Sequence, residues 1–342
     1  MIPRTKIDQS VICAVLLLLA SVLVNGQGNV AVPISEHPGI ALFRQGKNDE
    51  AIRELNSATK QKEYKGDGRI WNTLGLAYEK ANDFNRARGA FEKAVKFEPG
   101  NSTLRSNLAW TYLMLRDTNK AQSETEKAIK LDGTNALPYY IRGTASLWEQ
   151  KFDDAQKDAG LAMATDPGFP LAYVLSSRTQ IGLLGKKLAA SENASVRDHI
   201  DLMRTAVDVL RVGAERFRDS QDVGMLHSEL ESIEVFYNHF SKERPVPGTP
   251  PDPGVTPLRI LTKPKASYTH SARNANVQGS IRLAILLGAS GRVERILVLK
   301  RLGYGLDEQA VNAARQIKFE PKRKDGIPVS TVVIFDYGFN IY

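Results

Sequence analysis

The sequence predicts a two-domain α plus α/β chain. A helical solenoid is expected over residues 34–241, and a small α+β domain, an antiparallel sheet plus one helix, over 258–342. Three observations carry this expectation. Small and aromatic residues recur with a regular period between Gly46 and Pro167, and a proline-dense stretch interrupts the chain before Pro257. Beyond it, strand-like alternation replaces the three-to-four spacing of helices.

At the N-terminus, Arg4 and Lys6 precede the apolar run Val11-Ile-Cys-Ala-Val-Leu-Leu-Leu-Leu-Ala-Ser-Val-Leu-Val24. As a helix this run covers about 21 Å, short of the roughly 30 Å hydrocarbon core of a bilayer. Val24-Asn25-Gly26 supplies residues acceptable for cleavage before Gln27, so a secretory signal peptide over 1–26 is expected. An uncleaved anchor that keeps the protein at the inner membrane is the alternative. The single cysteine, Cys13, lies inside this run, so the mature chain would hold neither a disulfide nor a cysteine metal site.

Next come the repeats. Trp71, Leu74, Gly75, Tyr78, Ala87, Phe91, Ala94 and Pro99 resemble the tetratricopeptide pattern. Leu108, Ala109, Tyr112, Ala121 and Ala128 follow one period later, then Tyr139, Gly143, Ala155, Ala162 and Pro167 after another. A looser first unit holds Gly46, Ala51, Leu55 and Ala58, offset by two extra residues at Lys65-Gly-Asp-Gly68. Small residues such as Gly75, Gly143 and Ala94 let paired helices approach, while Tyr78 and Phe91 fill the space beside them. No unit buries its apolar face alone, so the repeats must stack. Such a stack presents a groove, and aligning the units places Arg69, Asn72, Glu79, Trp110, Leu113, Tyr140 and Trp148 towards it. A partner segment docked there would use Trp110 and Trp148 as anchors; the alternative is that these tryptophans pack between helices.

Leu171 to Ile181 begins like another repeat and loses the pattern at Gly182. Two one-sided helices follow, one carrying Val196, Ile200, Met203, Val207, Leu210, Ala214 and Phe217, the other Val223, Leu226, Leu230, Ile233, Tyr237 and Phe240. A hairpin covering the open end of the last repeat is expected. The linker over 242–257, with Arg244-Pro-Val-Pro-Gly-Thr-Pro-Pro-Asp-Pro-Gly-Val-Thr-Pro257, is stiff and extended.

In the last segment, Val277 to Leu287 and Val293 to Leu299 read as strands joined through Gly288-Ala-Ser-Gly291. Leu306 to Ile317 has helical spacing, with Asp307 and Glu308 at its positive end. Val329-Ser-Thr-Val-Val-Ile-Phe335 is strand by composition. A three-stranded sheet has two edges, and a late β-branched edge strand can accept an extended peptide. The candidate edge residues are Val329, Thr331, Val332, Val333, Ile334 and Phe335.

From Tyr268 to Phe339 the chain resembles the C-terminal domain of TonB-type energy transducers. The resemblance rests on Ala272-Arg273, Val277-Gln-Gly-Ser-Ile281, Gly291-Arg-Val293, Leu306-Asp307 with Ala310 and Ala314, Phe319-Glu-Pro321 and Gly326-Ile-Pro-Val329. Thr269 stands where that family usually has proline, and Ile317 where it often has tryptophan. The resemblance implies a periplasmic domain that pairs its last strand with a short segment of an outer-membrane transporter. It also implies an anchor helix bearing a histidine and a long proline-rich spacer. Here residues 1–26 contain no histidine and only the stretch Pro245 to Pro257 remains. The alternative is therefore a scaffold or adaptor of the cell envelope that uses the same two modules without transmitting force.

Composition adds limits. Of a net charge of +8, all belongs to the residues from Leu258 onward, where 14 Lys/Arg face 6 Asp/Glu. This suits an acidic partner or an anionic surface, and no nucleic-acid-binding motif accompanies it. His37, His199, His227, His239 and His270 show no metal-ligand spacing. Ser57-Ala-Thr-Lys60 matches a catalytic motif by chance, and Gly303-Tyr-Gly305 lacks the setting of a dinucleotide loop. The expectation is a protein-interaction chain with no catalytic residue, cofactor or metal. A homodimer through the unpaired edge remains open.

Overall fold

The computed structural model describes residues 37–190, 195–218, 220, 223–242 and 254–340. The expected signal peptide and most of the expected linker lie outside these residues. Two compact units result, Met1–Ala145 with Leu161–Leu171, and Ser146–Gly160 with Ala172–Tyr342.

The first unit is a stack of antiparallel helix pairs: α1 (Pro38–Arg44) with α2 (Asn48–Ala58), α3 (Gly68–Lys80) with α4 (Phe84–Phe97), and α5 (Ser102–Met114) with α6 (Thr118–Leu131). The sequence period is visible in the backbone. Asn82, Arg116 and Gln150, each one period from the next, all take a left-handed φ where a first helix turns into its partner. Asp83 and Asp117 then cap the second helices, accepting from Arg86 and Lys120 backbone N–H groups. Gly75 is required: a Cβ there would lie 2.6 Å from the Phe91 ring, which is fully buried.

Between neighbouring pairs, polar side chains are enclosed. Asn107 donates to Asn72 Oδ1 at 2.9 Å, and Thr111 donates to Glu79 Oε1 at 2.6 Å. Glu79 is 1% exposed and its Oε2 has no partner. Burial pushes the Glu79 carboxyl up to about 8, with the Thr111 bond opposing.

The second unit includes the last turn of α7 (Ala136–Trp148), the start of α8 (Phe152–Thr165), α9 (Pro170–Ala189) from Ala172, a 3₁₀ turn at Val196–His199, α10 (Ile200–Arg216) and α11 (Val223–Lys242). Helix α9 runs straight through Gly182, where the repeat pattern is lost. A Cβ at that position would lie 2.6 Å from Phe152, so this glycine serves close packing and does not end the helix. The α10–α11 hairpin packs on α9, with Tyr173 edge-on to Phe217 at 5.8 Å and next to Gly213.

The remaining elements are β1 (Val255–Thr256), β2 (Arg259–Thr262), α12 (His270–Asn274), β3 (Gly279–Leu287), β4 (Val293–Lys300), α13 (Leu306–Ala314), β5 (Lys318–Glu320), β6 (Arg323–Lys324), β7 (Ile327–Pro328) and β8 (Thr331–Phe339). The main sheet has the order β4-β3-β8, all antiparallel; β2 pairs with β5, and β6 lies between β1 and β7. Three expectations change. Val255 and Thr256 form β1, although their composition reads as linker. The helix after Leu306 ends at Ala314, leaving Ile317 buried in the core before β5. The last strand runs from Thr331 to Phe339, later than Val329 to Phe335, because Arg282 pairs across the ladder with Asp336 at 2.9 Å and keeps that charged residue in register.

One face of the sheet, Ile281, Leu283, Ile285 and Leu287 with Tyr337 and Phe339, packs under Leu306, Ala310 and Ala314 of α13. Thr269 replaces the expected proline productively. Its hydroxyl caps α12 and donates to the Tyr304 carbonyl at 2.7 Å.

Strand β4 is the other outer strand among the described residues, and helices pack against it. Helix α11 packs on β4, and Arg295 pairs with Glu231. A Cβ on Gly185 of α9 would fall 2.3 Å from the Leu299 carbonyl. Glu229 receives Arg178 at 2.7 Å and Arg301 at 3.6 Å. Burial works to raise the Glu229 carboxyl, but the two guanidiniums hold it below the usual carboxylate range.

Three outcomes follow for stability. Glu79 keeps its proton in the fold up to about pH 8 while the unfolded chain releases it above about pH 4.5. The folded state is therefore penalised increasingly as pH rises between these values. Thermal melts of Glu79→Gln should match wild type near pH 4 and exceed it by several °C at pH 8. Gly185→Leu should cost more than about 2 kcal/mol in urea unfolding, because a backbone carbonyl blocks the new side chain. Gly89→Ala, where no atom lies within 4 Å of the added Cβ, should stabilise by about 0.5–1 kcal/mol.

Candidate functional site: the open edge of the sheet

Strand β8 is paired on one side only among the described residues. Which of its backbone groups face outward follows from the hairpin. Gly288 N–H donates to the Arg292 carbonyl, so the even residues of β3 address β4 and the odd ones address β8. Since Leu283 lies opposite Phe335 and Ile285 opposite Val333, the odd residues of β8 are used internally. Val332, Ile334, Asp336 and Gly338 turn their N–H and C=O outward. A bare row of this kind can be completed by the backbone of another chain.

The expected edge residues therefore divide. Thr331, Val333 and Phe335 spend their backbone on β3, and their side chains lie on the α13 face of the sheet. Val332 and Ile334 contribute outward amides, and the Ile334 side chain is 41% exposed. Val329 precedes the strand; its N–H is used by the Lys322 carbonyl at 2.8 Å, so it is not part of the edge. Asp336 and Gly338 belong to the edge and escape a reading of the sequence, because a charge and a glycine break the apolar alternation.

Lys263, directly after β2, escapes it too. Its ammonium donates to the outward Asp336 carbonyl at 3.1 Å and lies 4.7 Å from the Phe335 ring centre and 4.9 Å from that of Tyr337. No sequence signal separates this lysine from Lys265; only the pairing of Thr262 with Lys318 sets it beside β8.

Most of the residues expected to line the groove of the repeats are enclosed. Asn72, Glu79, Leu113 and Tyr140 are buried, because successive first helices pack through these positions. Arg69 is exposed and bonded to Asp67 at 2.7 Å. Trp110 is half-buried and stacks on Tyr140 at 6.4 Å, with Phe169 edge-on beyond. Trp148 goes elsewhere: it lies 5.1 Å from Tyr304, over the left-handed Gly303, inside the second unit. A Cβ at Gly303 would meet the indole at 2.7 Å, which explains the glycine. His37 is structural, capping α1 and meeting Tyr64 edge-on. Among the described residues, no cluster of His, Cys, Asp and Glu could hold a metal, and no helix is long and apolar enough to cross a membrane.

Comparison with known proteins finds matches to two domain types. The family described as Gram-negative bacterial TonB protein C-terminal matches residues 264–341, and two tetratricopeptide repeat families match 39–102 and 90–123. A curated relative, the tetratricopeptide repeat domain-containing protein PYG7, chloroplastic, of Arabidopsis thaliana, is 36% identical over 67 residues, 20% of this chain. The match spans only 22% of that relative's length. Among solved structures, a crystal structure of MamA is 19% identical, covering 56% of this chain and 98% of that one, with a TM-score of 0.40. The first TPR of Spaghetti (RPAP3) bound to an HSP90 peptide is 24% identical, covering 34% and 92%, with a TM-score of 0.31. Both matched domain types are protein-interaction modules of non-enzymatic kind. The chain carries tetratricopeptide repeats followed by a C-terminal domain of the TonB type, a domain of the Gram-negative cell envelope.

Proposed function

We propose that this protein works in the periplasm, exported by its N-terminal signal peptide, and captures an extended segment of an outer-membrane transporter by adding it as a strand to β8. The repeats bind a second protein, with half-buried Trp110 as the remaining aromatic contact. The observation that supports strand capture is the outward row at Val332, Ile334, Asp336 and Gly338, left without a partner strand among the described residues, whereas α9 and α11 pack against β4, the other outer strand. Backbone hydrogen bonds would supply the affinity and exposed Ile334 an apolar contact.

Proline substitution separates the two faces of the strand. Ile334→Pro deletes one outward donor and leaves the bonds to β3 in place, whereas Val333→Pro breaks the internal ladder. In titrations of the full chain with labelled peptides from transporter N-termini, Ile334→Pro should keep the wild-type melting curve and lose binding by more than about tenfold. Undiminished binding by this variant would show that another surface is used.

A further inference from the structure

The receiving edge is not empty of the protein's own groups. Lys263 Nζ occupies the Asp336 carbonyl, one of the outward acceptors, and its ammonium sits over both aromatic rings on the α13 face of the strand. An incoming strand must give that carbonyl a backbone N–H, which takes the place of the lysine. The ammonium then keeps its two ring faces and loses its oxygen acceptor. Thr262, paired with Lys318, and Pro264 hold the lysine's backbone on either side, so the displaced ammonium stays beside the edge. A carboxylate projecting from the arriving segment onto the Phe335–Tyr337 face would take over as its acceptor, in a domain whose net charge is +8.

We infer that Lys263 is a resident plug of the β8 edge and the residue that sets its specificity, favouring an extended segment with an acidic side chain on the Phe335–Tyr337 face. This rests on the strand-capture reading above. The plug also discourages β8 from pairing with a second copy, as edge lysines do elsewhere.

The test uses the full chain and two end-blocked nonapeptides of threonine, one with a central Glu and one with a central Gln, so that a shift of register leaves the flanks equivalent. Fluorescence anisotropy gives affinity, and amide exchange at Val332 and Ile334 reports where the peptide lies. Wild type should bind the Glu peptide about fivefold more tightly than the Gln peptide. Lys263→Met, at an exposed position, should bind the Gln peptide about fivefold more tightly than wild type and lose the preference; Lys263→Arg should retain it. An unchanged Glu-to-Gln ratio in Lys263→Met, with both outward amides protected, would overturn the role of Lys263 and leave strand capture standing. No protection of those amides by either peptide at millimolar concentration, in any variant, would overturn both.

Discussion

The two outer strands of the second unit's sheet differ in what packs against them, and the proposed binding edge depends on that difference. A three-stranded antiparallel sheet exposes two rows of unpaired backbone groups, each a liability in solution. On the β4 side, α11 packs against the strand, α9 brings Gly185 up to the Leu299 carbonyl, and Glu229 gathers Arg178 and Arg301. These contacts set the chain's own helices against β4. On the β8 side no strand of the described chain arrives, and a single lysine side chain reaches one carbonyl. With helices packed against β4, β8 is the outer strand proposed for backbone recognition.

The helical part serves two purposes. Its repeats form a stack whose internal contacts include enclosed polar groups, with Glu79 as the costliest of them. A buried carboxyl whose second oxygen has no partner is tolerated because it stays protonated in the fold. The helices from Ala172 onward, with Trp148, belong to the compact unit of the sheet. The side chain that aligns with groove residues of the repeats is thus spent on supporting the left-handed turn at Gly303 and Tyr304.

Much of the fold was legible because it follows from local rules. The repeat period appears directly as left-handed residues at Asn82, Arg116 and Gln150, and the extra two residues in the first unit place the equivalent turn at Gly46. Gly75 opposite Phe91, the hairpin around Gly291 and the α13 face all follow from spacing. The site was legible only in part. Alternation located β8, but its outward parity depends on the hairpin of β3 with β4, a long-range fact. Asp336 escaped notice because its partner, Arg282, is supplied by another strand. Lys263 escaped, and Trp148 was expected in the repeat groove, because tertiary packing sets their positions: each meets its partner, Asp336 or Tyr304, from a distant part of the chain. The groove positions looked open because the pattern of one repeat does not reveal how closely the next one packs.

Native-state amide exchange along β8 of the free protein tests the asymmetry most directly. Alternation is expected: slow exchange at Val333, Phe335 and Tyr337, whose N–H groups bond to β3, and fast exchange at Val332, Ile334 and Asp336, which face outward. Uniform protection along the strand would mean that both sides of β8 are already occupied, and would contradict the account.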